Sequence, residues 1–285
     1  MKLIRFGESG REKPGVMVND VYYDLSSLVK DFDEDFFALG GLQQLRELLS
    51  GNRHHEFKMD EPRRLGSPVA RPSKIVCIGL NYAGHAKETG AAIPAEPIIF
   101  LKSTTSLTGP NDNIIIPRGS GKTDWEVELA VVIEKRASYV TEEEAMDYVA
   151  GYAVHNDVSE RAYQLERGGT WDKGKGCDTF APLGPWLVTR DEVADPHNLR
   201  LWLTVNGRKL QDSNTSDFIF NIPTLVSYVS QFMTLLPGDV ISTGTPAGVG
   251  MGLNPAVYLK PGDVVELGID GLGISRQECV AWQKL

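Results

Sequence analysis

Two glutamates one residue apart, Glu126 and Glu128, lie in the run Trp125-Glu126-Val127-Glu128-Leu129-Ala130-Val131-Val132-Ile133. Its β-branched content predicts a strand. Alternate residues of a strand share a face, so both carboxylates point one way, about 7 Å apart along it. Trp125, Val127 and Leu129 then turn into packing. Two carboxylates aimed at one place repel unless a cation or positive side chains lie between them. Asp157, closing the run Gly151-Tyr152-Ala153-Val154-His155-Asn156-Asp157, could supply a third. Carboxylate oxygens with no nearby Cys or paired His suit a hard ion, Mg²⁺ or Mn²⁺, rather than zinc. A bare E-x-E is more often the wet face of an antiparallel strand, so the metal reading depends on its company.

That company begins with Asn81-Tyr82-Ala83-Gly84-His85-Ala86-Lys87-Glu88, which as a helix puts His85 and Glu88 at i, i+3 on one face. A histidine partnered by a carboxylate can deprotonate water near neutral pH, although such pairs also occur on ordinary helix surfaces. The histidines at 54, 55, 155 and 197 have no comparable partner, and His155 reads as pointing away from the face that carries Asp157. In Gly174-Lys175-Gly176 the flanking glycines leave little to shield an ammonium, which suits an anion or an enolate as well as a solvated loop. Arg118-Gly119-Ser120-Gly121-Lys122-Thr123 is no phosphate loop, because the required first glycine is Ile116 and a strand follows. Gly248-Val249-Gly250-Met251-Gly252-Leu253 ends in Leu253 and fails the dinucleotide pattern, leaving turns or close backbone approach as its use.

These residues need a scaffold, and the chain reads as β-rich. Strands are predicted at 2–6, 74–78, 98–102, 113–116, 126–133, 151–156, 199–205, 239–243 and 263–269, with a hairpin over 16–25 turning at Asn19-Asp20. Helices are predicted at 39–49, 82–89, 141–149 and 223–232, the third opening with a Thr-Glu-Glu-Glu capping box. Helices this sparse do not alternate with strands, so a doubly wound sheet is excluded and an α+β, β-rich sandwich or barrel-like fold is expected. A polar stretch with Pro62, Pro68 and Pro72 divides a small N-terminal unit, 1–68, from a larger one, 69–285. A net charge of -9 over 285 residues argues against nucleic acid or an anionic membrane as partner. No apolar stretch approaches a membrane span, and Arg5 breaks the only candidate signal core. Cys77, Cys177 and Cys279 form no disulfide or zinc pattern, so a reducing cytoplasm is expected.

Taken in order, several stretches together resemble the fumarylacetoacetate hydrolase superfamily. They are Ile78-Gly79-Leu80-Asn81-Tyr82 with His85 and Glu88, Ile99-Phe100-Leu101-Lys102, Asp124-Trp125-Glu126-Val127-Glu128-Leu129, Asn156-Asp157-Val158-Ser159-Glu160-Arg161, Lys175 to Pro185, and Gly238-Asp239-Val240-Ile241-Ser242-Thr243-Gly244-Thr245-Pro246. They cover roughly residues 70–270, and among members the chain looks most like the bacterial sugar-acid branch, 2,4-diketo-3-deoxy-L-rhamnonate hydrolase and relatives, many labelled ureidoglycolate lyase. The resemblance implies a mixed β-sandwich roll, a homodimer and a Mg²⁺ or Mn²⁺ site on Glu126, Glu128 and Asp157. It implies His85 and Glu88 as a water-activating dyad and Lys175 as a catalytic residue. Lys102, Arg161, Gln164 and Thr245 fall on positions that contact substrate or order the site. Cys177 departs from the phenylalanine common in the wider family.

The implied chemistry is hydrolysis of a carbon–carbon bond in a small 2,4-diketo acid, giving pyruvate and a hydroxy acid. Ureidoglycolate lyase, oxaloacetate decarboxylase or a dienoate isomerase would use the same metal site. A non-catalytic metal-binding scaffold would need none of His85, Glu88 or Lys175. Specificity is expected from Ser103 to Leu107 and from the loop Leu165 to Trp171.

Overall fold

A computed structural model describes residues 1–51, 53–62 and 64–284. The architecture is α+β and rich in strands, as the sparse helix signals predict. Its larger sheet has eleven strands, one of which, Leu65–Gly66, pairs with Lys2–Phe6 off the main path. From one edge to the other the path runs through Lys58–Met59, Val21–Asp24, Lys13–Val18, Lys2–Phe6, Leu187–Thr189, Val149–Asn156, Val127–Ile133, Val240–Ser242, Ile75–Gly79 and Ile98–Lys102. A second sheet of five strands orders Arg208–Asn214, Arg200–Val205, Val264–Ile269, Gly273–Ala281 and Ile114–Ile116. Most pairs are antiparallel, and Val240–Ser242 runs parallel to Ile75–Gly79.

The period-2 pattern explains how the two sheets meet. Along Val127–Ile133, the side chains of Val127, Leu129, Val131 and Ile133 enter one apolar cluster with Leu201, Leu203, Val265 and Leu267 of the smaller sheet. Ala130 and Val132 enter a second cluster with Leu3, Val16, Phe37 and Leu45 from the N-terminal segment. A strand buried on both faces reads as a continuous apolar run, and each buried Val or Leu contributes roughly 1.5–3 kcal/mol. Lys2–Phe6 pairs with Leu187–Thr189, so residues before 68 extend the same sheet as residues after it. The Asn19-Asp20 turn has φ of 49° and 59°, the left-handed pair that matches strand twist in a two-residue hairpin.

The helix expected at 39–49 forms as Gly41–Ser50, preceded by an unexpected short helix, Glu34–Ala38, with Gly40 at φ 75° between them. Other expectations need correction. The helix expected at 141–149 is a single tight turn, Ala145–Tyr148. The Thr141 amide and hydroxyl both donate to Glu144 Oε2, at 3.4 and 3.2 Å, but the turn starts after Glu144 without a side-chain cap, and strand pairing from Val149 leaves no room for a second turn. Arg208–Asn214 and Gly273–Ala281 are strands that the apolar pattern did not predict, because their inward residues are Gln211, Ser275 and Gln277.

Candidate functional site

Glu126 and Glu128 sit at the start of the central Val127–Ile133 strand, on the face opposite Trp125, Val127 and Leu129. The neighbouring strand delivers Asp157 just past its end, where the Asp157 amide donates to the Glu126 carbonyl at 2.9 Å. One ligand oxygen from each of Glu126, Glu128 and Asp157 lies within 4.8 Å of the others, and all three residues are buried. The sequence-derived trio therefore converges.

Each carboxylate is gripped on one side. Arg161 Nη2 donates to Glu126 Oε1 at 2.6 Å, and Lys102 Nζ donates to Asp157 Oδ1 at 2.5 Å. Ser242 Oγ at 2.5 Å and the Gly244 amide at 3.0 Å both donate to Glu128 Oε2. The second oxygens of Glu126 and Asp157 meet at the Lys175 ammonium, at 2.6 and 2.7 Å. The second oxygen of Glu128 accepts no hydrogen bond among the described residues. Burial would raise the pKa of Asp157, but Lys102 and Lys175 more than offset it and hold the carboxyl well below the usual range. Glu128 goes the other way: burial first, then the charges of Asp157 and Glu126, push it well above that range. Burial would lower the pKa of Lys175, and Asp157 and Glu126 reverse that, raising it. The donor set is all oxygen and carries negative charge that its own cations leave unbalanced at Glu128, which fits a hard divalent cation.

The short helix Ala83–Glu88 presents His85 to the same place. His85 Nδ1 lies 3.3 Å from Glu88 Oε2, and the Gly248 amide anchors Glu88 Oε1 at 2.9 Å. A cavity of about 330 Å³ is lined by His85, Glu126, Glu128, Arg161, Gln164, Lys175 and Thr245. Glu88, Asp157 and Lys102 do not line it and stand behind the residues that do. Gln164 accepts from Arg161 Nη1 at 3.0 Å, and Thr245 Oγ1 spends its proton on the Val127 carbonyl at 2.9 Å. Leu165 and Trp171 line this cavity, whereas Thr104, Thr105 and Leu107 border a separate one near the N-terminal segment.

Lys175 is not an exposed loop lysine. It ends the helix Asp172–Lys175 and is 2% exposed. Its glycines serve packing: a Cβ at Gly174 would stand 2.5 Å from the Glu160 carbonyl oxygen, and one at Gly176 3.0 Å from the Asp172 carbonyl oxygen. His155 is also corrected. It pairs in register with Glu128, so it shares that face, and its Nδ1 lies 2.6 Å from Ser242 Oγ. Burial drives its pKa down to about 3.

Asp124 escaped notice in the sequence. It accepts from Arg161 Nε at 2.8 Å and from the amides of Gly250 and Met251, at 2.6 and 3.0 Å. Gln211 was missed as well. It accepts from the Val127 amide and donates to Thr245 Oγ1, at 3.0 and 2.9 Å. Asp124 directly precedes the E-x-E strand, a position that could have marked it, whereas nothing local marks Gln211.

Residues 74–280 match the family described as "Fumarylacetoacetate (FAA) hydrolase C-terminal". A Burkholderia ambifaria protein named only as a hydrolase is 56% identical over 275 residues, 96% of this chain and 96% of that one. The 2-hydroxyhepta-2,4-diene-1,7-dioate isomerase of Mycobacterium marinum is 32% identical, with a TM-score of 0.74 over 100% of both chains. The maleylpyruvate hydrolase of Sphingobium sp. SYK-6, solved in complex with manganese(II) and pyruvate, is 31% identical with a TM-score of 0.79, over 99% of this chain and 100% of that one. Among the described residues no helix is long and apolar enough to cross a membrane.

Proposed function

The chain belongs to the fumarylacetoacetate hydrolase family, and from that premise we propose that it hydrolyses a carbon–carbon bond in an acylpyruvate-type 2,4-diketo acid. The observation that carries this reading is one cavity lined by His85, Glu126, Glu128 and the buried Lys175, with Asp157 and Glu88 bonded to these residues from behind. The bound manganese and pyruvate of the maleylpyruvate hydrolase support it.

Glu126, Glu128 and Asp157 would hold Mg²⁺ or Mn²⁺. Bound there, the ion would supply Lewis acidity toward the carboxylate and keto oxygens of a 2-oxo acid. Glu88 Oε2 accepts a hydrogen bond from His85 Nδ1–H, which leaves Nε2 as the base. Nε2 removes a proton from water, whose oxygen bonds to the carbonyl carbon at position 4. The bond between carbons 3 and 4 breaks, and its electron pair passes into the enolate of pyruvate. Lys175, kept charged by Asp157 and Glu126 against its own burial, faces that developing charge. The proton held at Nε2 then goes to carbon 3, completing pyruvate. Arg161 and Gln164 order the trio and the cavity wall, Lys102 holds Asp157 from behind, and Thr245 belongs to the loop that receives the substrate carboxylate.

The likeness to the sugar-acid branch points to a 2,4-diketo-3-deoxy sugar acid, cleaved to pyruvate and a hydroxy acid by a cytoplasmic homodimer. A panel of 2,4-diketo acids, ureidoglycolate and oxaloacetate, assayed with Mg²⁺ and with EDTA, tests the reading. Metal-dependent release of pyruvate from a diketo acid is expected, and turnover untouched by EDTA would sink it. The isomerase relative favours a second reading, isomerisation of a 2-hydroxydienoate. His85→Ala separates the two: hydrolysis should fall about 10²–10⁴-fold, while an isomerase that needs no activated water would keep its rate.

A further inference from the structure

Glu128 is held unlike its two neighbours. Charged groups take the outer oxygens of Glu126 and Asp157, but neutral ones, the Ser242 hydroxyl and the Gly244 amide, take Glu128 Oε2. Behind Ser242 stands His155, with Nδ1 2.6 Å from Ser242 Oγ. All three side chains are buried, Glu128 and His155 at 1% exposure and Ser242 at 0%. Sheet register aligns them, since Glu128 pairs with His155 and Ala130 with Ser242.

The hydrogen-bond direction follows from counting protons. With a divalent cation bound Glu128 is ionised, and an ionised carboxylate only accepts, so Ser242 gives it its single proton. The Ser242 oxygen must then accept from His155, which places the ring proton on Nδ1 and a bare lone pair on Nε2. Nε2 is buried with no partner among the described residues. The chain therefore runs one way, from His155 through Ser242 to Oε2, and leaves Oε1 without a hydrogen bond among the described residues.

We propose that His155 and Ser242 are positioning residues for Glu128, fixing which of its oxygens meets a divalent cation and so setting the affinity of the site. The proposal rests on reading Glu126, Glu128 and Asp157 as metal ligands. Neutral donors suit the task, because a lysine or arginine behind Glu128 would cancel the charge that the ion needs. Groups behind a ligand typically change metal affinity 10- to 100-fold.

The test is Mn²⁺ titration by calorimetry, with free Mn²⁺ counted by electron paramagnetic resonance. Ser242→Ala should weaken binding about 10- to 100-fold, and His155→Ala about 10-fold. His155→Asn, whose amide N–H can stand where Nδ1–H stood, should bind within a few-fold of the wild type. Circular dichroism on each variant reports whether the fold survives. Should a variant not fold, nitrogen-15 shifts of His155 in the Mg²⁺-loaded wild-type protein decide. A protonated Nδ1 with a bare Nε2 is expected, and the opposite tautomer overturns the proposal. Wild-type Mn²⁺ binding with Ser242→Ala and His155→Ala unchanged would overturn this proposal alone. A wild-type protein that binds no Mn²⁺ would remove the metal reading and this proposal together.

Discussion

Asp157 and Asp212 each sit between two cations, in opposite surroundings. Asp157 is fully buried between Lys102 at 2.5 Å and Lys175 at 2.7 Å. Asp212 lies on an edge strand between Arg200 at 2.7 Å and Lys209 at 2.9 Å, with side chains 38 to 51% exposed. Both carboxyls are held well below their usual range. For Asp212 the cause is hydrogen bonds from Arg200 and Lys209, while for Asp157 two ammoniums overcome a large burial penalty. Equal direction of titration therefore hides unequal worth. Water and salt screen the exposed set, so its attractions are small. In the buried set, removing one partner leaves a charge with nowhere to go.

The sharpest way to break this comparison is to empty the buried cluster. Glu126→Ala combined with Glu128→Ala should reduce Mg²⁺-dependent turnover of a diketo acid to the uncatalysed rate, read as pyruvate release. Activity that survives would end the metal assignment. Next in size, Asp157→Asn strands the buried Lys102 ammonium and should cost about 3–5 kcal/mol in urea denaturation with EDTA present. A loss below about 1 kcal/mol would put Asp157 in the same class as surface pairs.

A third test uses pH. The folded pKa of Glu128 is raised above the ordinary 4.5, so in metal-free protein the folded state binds that proton more tightly than the unfolded one. Its contribution is then fully present below about 4.5 and is lost as pH rises through the raised folded value. Melting curves of wild type and Glu128→Gln in EDTA should show the wild type falling relative to the variant as pH climbs. Added Mn²⁺ should reverse the fall. Asp157, with a depressed folded value, contributes in the opposite sense: its stabilisation is present above its unfolded pKa and lost as pH falls. The smallest effect belongs to Asp212→Asn, for which no resolvable change in Tm or in turnover is expected.

Much of this site was legible because its chemistry follows local periods. Glu126 and Glu128 share a strand face by alternation, and His85 and Glu88 share a helix face by i, i+3 spacing. The supporting cast obeys no local period. Ser242 meets Glu128 across 114 positions of sequence, and Gln211 meets the Val127 amide across 84. Their own strands hide them for a physical reason. A polar residue facing inward looks, in sequence, like a residue facing water, and only the assembled sheets reveal that it has a buried partner. The same reversal misplaced Lys175, whose glycines suggested openness and instead permit close packing against Glu160 and Gln164. The alternation of helices and strands was simpler to exclude, since absent helices leave no ambiguity about a doubly wound sheet.

The segment from Gly248 to Met251 ties distant parts of this chemistry to one short piece of backbone. Its amides hold Glu88 at one end and Asp124 at the other, and Asp124 in turn holds Arg161 against Glu126. For evolution this makes the segment a shared dependency. Lengthening it by one residue would loosen the His85–Glu88 pair and the carboxylate trio in the same stroke, so sequence drift has more freedom on the Leu165 and Trp171 wall.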